Sequence, residues 1–99
     1  MKRVAFSAFD RALRAVRKAR GVAQEEFDQV SSRTYVSALE RGLKQPTLPK
    51  IDALAGVLQV HPLTLLALSY CPNHSLAEVH RLLARVEQET MDLALPKSE

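Results

Sequence analysis

The stretch QEEFDQVSSRTYVSALERG, residues 24–42, decides how this chain folds. Gln24 to Asp28 reads as a brief helix carrying Phe27 inward, and Val30-Ser31-Ser32 interrupts it before a further helix runs from Ser32 to Arg41. In the latter, Val36 and Leu39 face a core together, joined by Tyr35, while Arg33, Thr34, Ser37, Ala38 and Arg41 fall on other faces. Gly42 supplies its stop. Two short helices joined by a tight turn leave the second protruding, and its outward residues are polar, cationic or small.

Working outward, Ser7 followed by Asp10 announces a first helix, with Phe9, Leu13 and Val16 at helical spacing and Gly21 as its stop. Downstream, Leu43 to Pro46 is a connection. Thr47 caps a fourth helix that tolerates Pro49 in its first turn and carries the stripe Ile51, Leu54, Ala55 and Leu58. His61-Pro62 opens a fifth helix offering Leu65, Leu66 and Leu68 for burial, with Pro72 just beyond its end. Ser75 and Glu78 have capping-box spacing for a sixth helix, whose apolar face is Leu76, Val79, Leu82, Leu83 and Val86. Its other face carries Glu78, Arg81, Arg85 and Glu89. The expectation is an all-α chain: five helices over residues 1–70, then an additional C-terminal amphipathic helix within 71–99.

Composition agrees. Ninety-nine residues, 46% hydrophobic, build one core and not two, and only three glycines interrupt a chain rich in helix formers. The single cysteine, Cys71, has no internal disulfide partner, and neither a signal-peptide stretch nor a bilayer-length apolar run is evident, so a cytoplasmic protein without membrane contact is expected. Cys71, His74, His61 and His80 do not make the four-ligand array that zinc normally takes. No orienting residue turns a Cys/His pair into a nucleophile either. Neither metal, cofactor nor enzymatic activity is expected. The net charge of +3 hides a gradient: residues 1–21 carry +6, residues 22–50 are neutral, and residues 51–99 carry −3. A basic end of this kind meets a polyanion.

A major groove about 12 Å wide admits a protruding helix of the 32–41 type. Arg33 can pair in bidentate fashion with a guanine, Thr34 and Ser37 can contact bases or phosphates, and Ala38 can sit against a thymine methyl. These residues also carry a resemblance. Leu13-Arg14 through Arg17, Gly21, Gln24-Glu25-Glu26-Phe27, Tyr35-Val36-Ser37, Leu39-Glu40-Arg41-Gly42, then Pro46-Thr47-Leu48, Ile51, Leu54, Leu58 and Val60 look like the Cro/CI-type (XRE) helix-turn-helix family over roughly residues 8–68. The resemblance implies a five-helix, lambda-repressor-like DNA-binding domain, usually dimeric, whose third helix reads an operator. It implies that Gln24 touches DNA, that Arg33, Thr34, Ser37 and Ala38 face bases, that Arg41 and Lys44 belong to a phosphate-contacting loop, and that Arg17 pairs with Glu40. Arg14 and Lys18 are further phosphate candidates, and Ser32 and Tyr35 complete the DNA-facing set. Between Gln24 and Glu40 this chain is about two residues shorter than the usual family spacing. It lacks the turn glycine, and Ala23 stands at the family's Ser or Thr cap, so the second helix or its turn must be trimmed.

The sixth helix has three readings: packing on its own domain, pairing with its twin, or binding another protein. Pairing through Leu76, Val79, Leu82, Leu83 and Val86 is preferred, since a two-fold dimer reads half-sites about 34–36 Å apart. In the alternative arrangement the fifth and sixth helices make the interface jointly. The expected partners are therefore double-stranded DNA and a second copy, with RNA polymerase or a second protein as a further partner. The rival function is an antitoxin-like or other interaction module working through the C-terminal helix.

Overall fold

The computed structural model describes residues 8–98. Five α-helices and one 3-10 helix follow in order: α1 Phe9–Ala19, the 3-10 helix Gln24–Phe27, α2 Arg33–Glu40, α3 Leu48–Leu58, α4 Pro62–Ser69 and α5 Leu76–Leu93. These are the six helical segments expected from the sequence. The expected Ser7 cap of α1 lies outside the described residues; Ala8 occupies the cap position and offers no side-chain hydrogen bond.

Local signals account for most boundaries. Ser32, Thr47 and Ser75 each accept a hydrogen bond from the backbone N–H three residues on, at 3.1, 3.2 and 3.1 Å. In the capping box of α5, Glu78 accepts from the Ser75 N–H at 3.5 Å and more closely from the Asn73 N–H at 3.0 Å. His61 caps α4 through Nδ1, which accepts from the Leu63 N–H at 2.9 Å. Gly21 and Gly42 end α1 and α2 at φ of 68° and 74°. At each, the next N–H reaches back five residues, Val22 to the Arg17 carbonyl at 3.0 Å and Leu43 to the Ala38 carbonyl at 2.9 Å.

The same terminal motif closes α3, with Val60 N–H on the Ala55 carbonyl at 3.1 Å, but here the left-handed position is Gln59 at φ 59°. A side chain at that φ is strained. Gln59→Gly is expected to raise stability by about 0.5–1 kcal/mol, read as a higher midpoint in urea.

One core joins these elements. Phe9, Leu13 and Val16 of α1 meet Phe27, Val36 and Leu39, closed below by Ile51, Leu54, Ala55 and Leu58 of α3 and by Leu65 of α4. The stripes on α1 and α3 are those the 3.6-residue period picks out. On α4, Leu65 is buried while Leu66 and Leu68 are only half-buried; Ala67 and Ser69 are buried as well, the Ser69 hydroxyl donating to the Leu65 carbonyl at 2.8 Å. α5 packs along α4, yet none of its residues is buried. No single helix among the described residues is long and apolar enough to cross a membrane.

Candidate nucleic-acid interface

The second helix of the expected pair is trimmed to a single four-residue 3-10 helix. Phe27, fully buried, pins it to the core, and its carbonyl accepts from the N–H groups of Val30 and Ser31 at 2.8 and 2.9 Å, which turns the chain toward Ser32. With no capping hydroxyl at residue 23, the Glu26 carboxylate takes the Ala23 N–H at 3.0 Å instead.

α2 lies against both α1 and the 3-10 helix. Its orientation is held by one carboxylate. Glu40, 3% exposed, accepts from Arg17 Nε at 2.5 Å, from Arg17 Nη2 at 2.9 Å and from Gln24 Nε2 at 3.0 Å. The remaining Arg17 nitrogen donates to the Val22 carbonyl at 3.1 Å, and Arg14 donates to the Glu40 carbonyl at 3.1 Å. A bidentate, charge-assisted pair in which each of the three guanidinium nitrogens makes a hydrogen bond suits a largely desolvated site. The hydrogen bond to Glu40 raises the Arg17 guanidinium above its usual range; burial opposes this, and the charges of Glu40 and Glu25 add to it. Arg17's contribution to stability is therefore present at every pH below the ordinary arginine range and is lost only as pH rises through the raised folded-state value.

Fixing α2 in this way selects which residues face out. Gln24, Arg33, Thr34, Ser37 and Arg41 line one shallow polar cleft. Arg33, Thr34 and Arg41 are exposed, and Gln24 and Ser37 half-buried. Lys44 is exposed in the loop after α2, and Lys18 is exposed in the last turn of α1. Ser32 is exposed but commits its oxygen as the α2 cap.

One expectation needs correction. Ala38 is 6% exposed, because α2 is covered on two flanks, so its methyl is packed inward and is not offered to a base. Tyr35 is half-buried, packed in part against the core as its spacing with Val36 and Leu39 suggests, with the Lys50 ammonium 5.4 Å from its ring centroid. Lys50 also donates to the Val30 carbonyl at 2.9 Å, tying α3 to the turn before α2. Sequence reasoning missed this residue, which carries no motif, and it missed Gln24's bond to Glu40.

The cysteine and histidines do not converge. Cys71 is buried, and burial pushes its thiol up, with Glu78 adding to the shift and Arg81 opposing it. Among the described residues no group of three or more His, Cys, Asp and Glu is placed to hold a metal ion.

Comparison with known proteins agrees with this geometry. A family model described as helix-turn-helix matches residues 13–65, more than half of the chain and the whole of the α1–α2 unit from Leu13 onward. No curated protein and no solved structure matches. The matched segment contains the Arg17–Glu40–Gln24 knot and every residue of the polar cleft. The chain belongs to the XRE-type (Cro/CI) helix-turn-helix family and is a DNA-binding transcriptional regulator.

Proposed function

We propose that this protein is a sequence-specific repressor that binds a palindromic operator as a homodimer, with α2 of each copy in the major groove. The observation that carries this reading is the cleft of Gln24, Arg33, Thr34, Ser37 and Arg41 on the outward sector of a helix whose other flanks are packed. Arg33, at the first position of α2, reads a guanine; Thr34 and Ser37 read neighbouring edges. Gln24 is clamped at its amide nitrogen and uses its oxygen. Arg41, Lys44 and Lys18 contact phosphates, joined by the Ser32 hydroxyl and by the guanidinium hydrogens that Arg14 has left over. Residues 1–70 form the DNA-binding unit, and the helix within 71–99 joins the copies. Repression follows from occupancy, since nothing in the cleft offers chemistry beyond binding.

The test is selection of bound sequences from random duplex DNA, followed by affinities at fixed salt. A two-fold symmetric winner bound about a thousandfold or more tighter than its scramble is the expected result. Arg33→Ala is then expected to cost about 1–3 kcal/mol on the winner and to relax preference at one base pair. Lys44→Ala is expected to weaken operator and scramble alike and to lower the salt slope by about one. An Arg33→Ala protein with wild-type affinity and preference would remove the cleft from the recognition surface.

Exposure of the α5 apolar face also favours the interaction-module reading. Deleting residues 73–99 separates the two: the repressor reading expects a fall from dimer to monomer mass in light scattering, with loss of tight operator binding. The module reading expects an unchanged mass.

A further inference from the structure

We propose that Lys50 is a positioning residue for base readout: its ammonium, seated between the Val30 carbonyl and the Tyr35 ring, sets the angle at which the first turn of α2 presents Arg33 and Thr34. This rests on the reading of α2 as the recognition helix and adds what aims it.

The first observation is where the lysine stands. Lys50 is the third residue of α3, at the positive end of the helix dipole, so its charge is set against its own helix. Among the described residues no carboxylate pairs with it. What holds the cation in place is therefore outside α3 and is not an acid.

The second observation is what the side chain reaches. The ammonium donates to the Val30 carbonyl at 2.9 Å and lies 5.4 Å from the centroid of the Tyr35 ring. Val30 stands two residues before Ser32, the cap of α2, and Tyr35 three residues after it, at the N–H that the cap takes at 3.1 Å. One ammonium thus bridges both sides of the cap, and Arg33 and Thr34 lie between the two points it holds. The base of the bridge is itself fixed. The Lys50 N–H is bonded to the Thr47 hydroxyl at 3.2 Å, Pro49 precedes it, and Ile51 after it is in the core.

The third observation is how α2 is mounted. Val36 and Leu39 seat its apolar face, and its last residue, Glu40, is tied to α1 through Arg17. The helix is about 12 Å long, and Lys50 secures the end away from that tie. Lys18, Arg41 and Lys44 are exposed, as phosphate contacts need, whereas Lys50 is half-buried with its ammonium engaged. Phosphate contacts serve all sequences alike, while base contacts require the presenting helix to be held in place.

Affinities of the full chain for the operator selected from random duplexes, and for its scramble, test the assignment at a temperature where circular dichroism shows every variant folded. Lys50→Met is expected to bind operator roughly tenfold more weakly, and to bind scramble as the natural chain does with the same salt slope. Lys50→Arg keeps a cationic donor that can lie over the ring and is expected to restore most of the loss. Tyr35→Leu is expected to show the same selective loss, and the double variant Lys50→Met with Tyr35→Leu to lose less than the sum, because the two remove one contact. In proton NMR of the natural chain the Lys50 ε-methylene is expected upfield of the other lysines, moved there by the Tyr35 ring. A Lys50→Met protein that weakens operator and scramble alike, with a salt slope lower by about one, makes Lys50 a phosphate contact and overturns the proposal. So does the absence of the ring shift, or a natural operator preference in Lys50→Met beside a deficient Arg33→Ala. If Arg33→Ala also keeps the natural preference, the recognition reading itself falls.

Discussion

Replacing Arg17 with methionine is expected to cost about 3–5 kcal/mol of folding stability, a large share of the roughly 5–15 kcal/mol that holds a domain of this size together. The cost arises from what stays behind. Glu40 remains 3% exposed in the packed site, deprived of two charge-assisted hydrogen bonds and left with only the Gln24 amide. The Val22 carbonyl loses its guanidinium donor as well. Urea unfolding followed by circular dichroism reads the change. The double variant Arg17→Met with Glu40→Leu removes the stranded charge and is expected to recover most of the loss, since a buried pair adds little net stability over an apolar replacement. Recovery of stability without recovery of operator affinity would show that the knot also positions Gln24, which in the double variant has lost the acceptor that holds it beside α2. Unchanged stability in Arg17→Met would show that the Glu40 carboxylate is solvated in solution.

Much of this arrangement is legible in the residues because the signals are local. A hydroxyl at Ser32, Thr47 or Ser75 competes for an N–H three residues on whatever the tertiary context, and Gly21 and Gly42 take the left-handed terminal position at no steric cost. The stripes Phe9-Leu13-Val16 and Ile51-Leu54-Leu58 need only the helical period. What is not legible depends on how many neighbours a helix has. Counting faces on α2 assumes one buried side, and on that assumption Ala38 points out. With α1 and the 3-10 helix both packed on it, Ala38 and Glu40 go inside and only the sector of Arg33, Thr34, Ser37 and Arg41 remains. Lys50 and Tyr35 illustrate the same limit, because their contact joins residues whose roles emerge only when α3 is set beneath the turn.

The C-terminal helix shows the opposite balance. Its start, period and capping box are all written locally, yet the period does not say what lies on the apolar face. The groove with α4 adds that Leu63 and Tyr70 share the face, so the surface to be covered includes two helices. α4 also sends Leu65 into the common core, so the α4–α5 face is fixed to the DNA-binding unit by packed side chains.

Phe27→Ala is expected to be comparably damaging, about 3–5 kcal/mol, because it empties a fully buried aromatic site at a place with little else to hold the chain. Between Val22 and Val30, both only partly buried, Phe27 alone is in the core. Four residues of 3-10 helix cannot persist without that anchor. For a domain of this length the loss corresponds to a fall in melting temperature on the order of 20 °C. Phe27→Leu keeps most of the volume and is expected to cost about 1–1.5 kcal/mol. The pair of variants separates packing from positioning. Freed of Phe27, the segment releases Gln24 from Glu40 and slackens the turn that presents Ser32 and Arg33, so operator affinity of Phe27→Ala falls even at a temperature where the protein is still folded. Amide exchange at residues 24–31 should then rise before exchange in α1 or α3 does. A Phe27→Ala protein that loses less than about 1 kcal/mol would mean that the segment is loosely seated and that Gln24 is positioned by Glu40 alone.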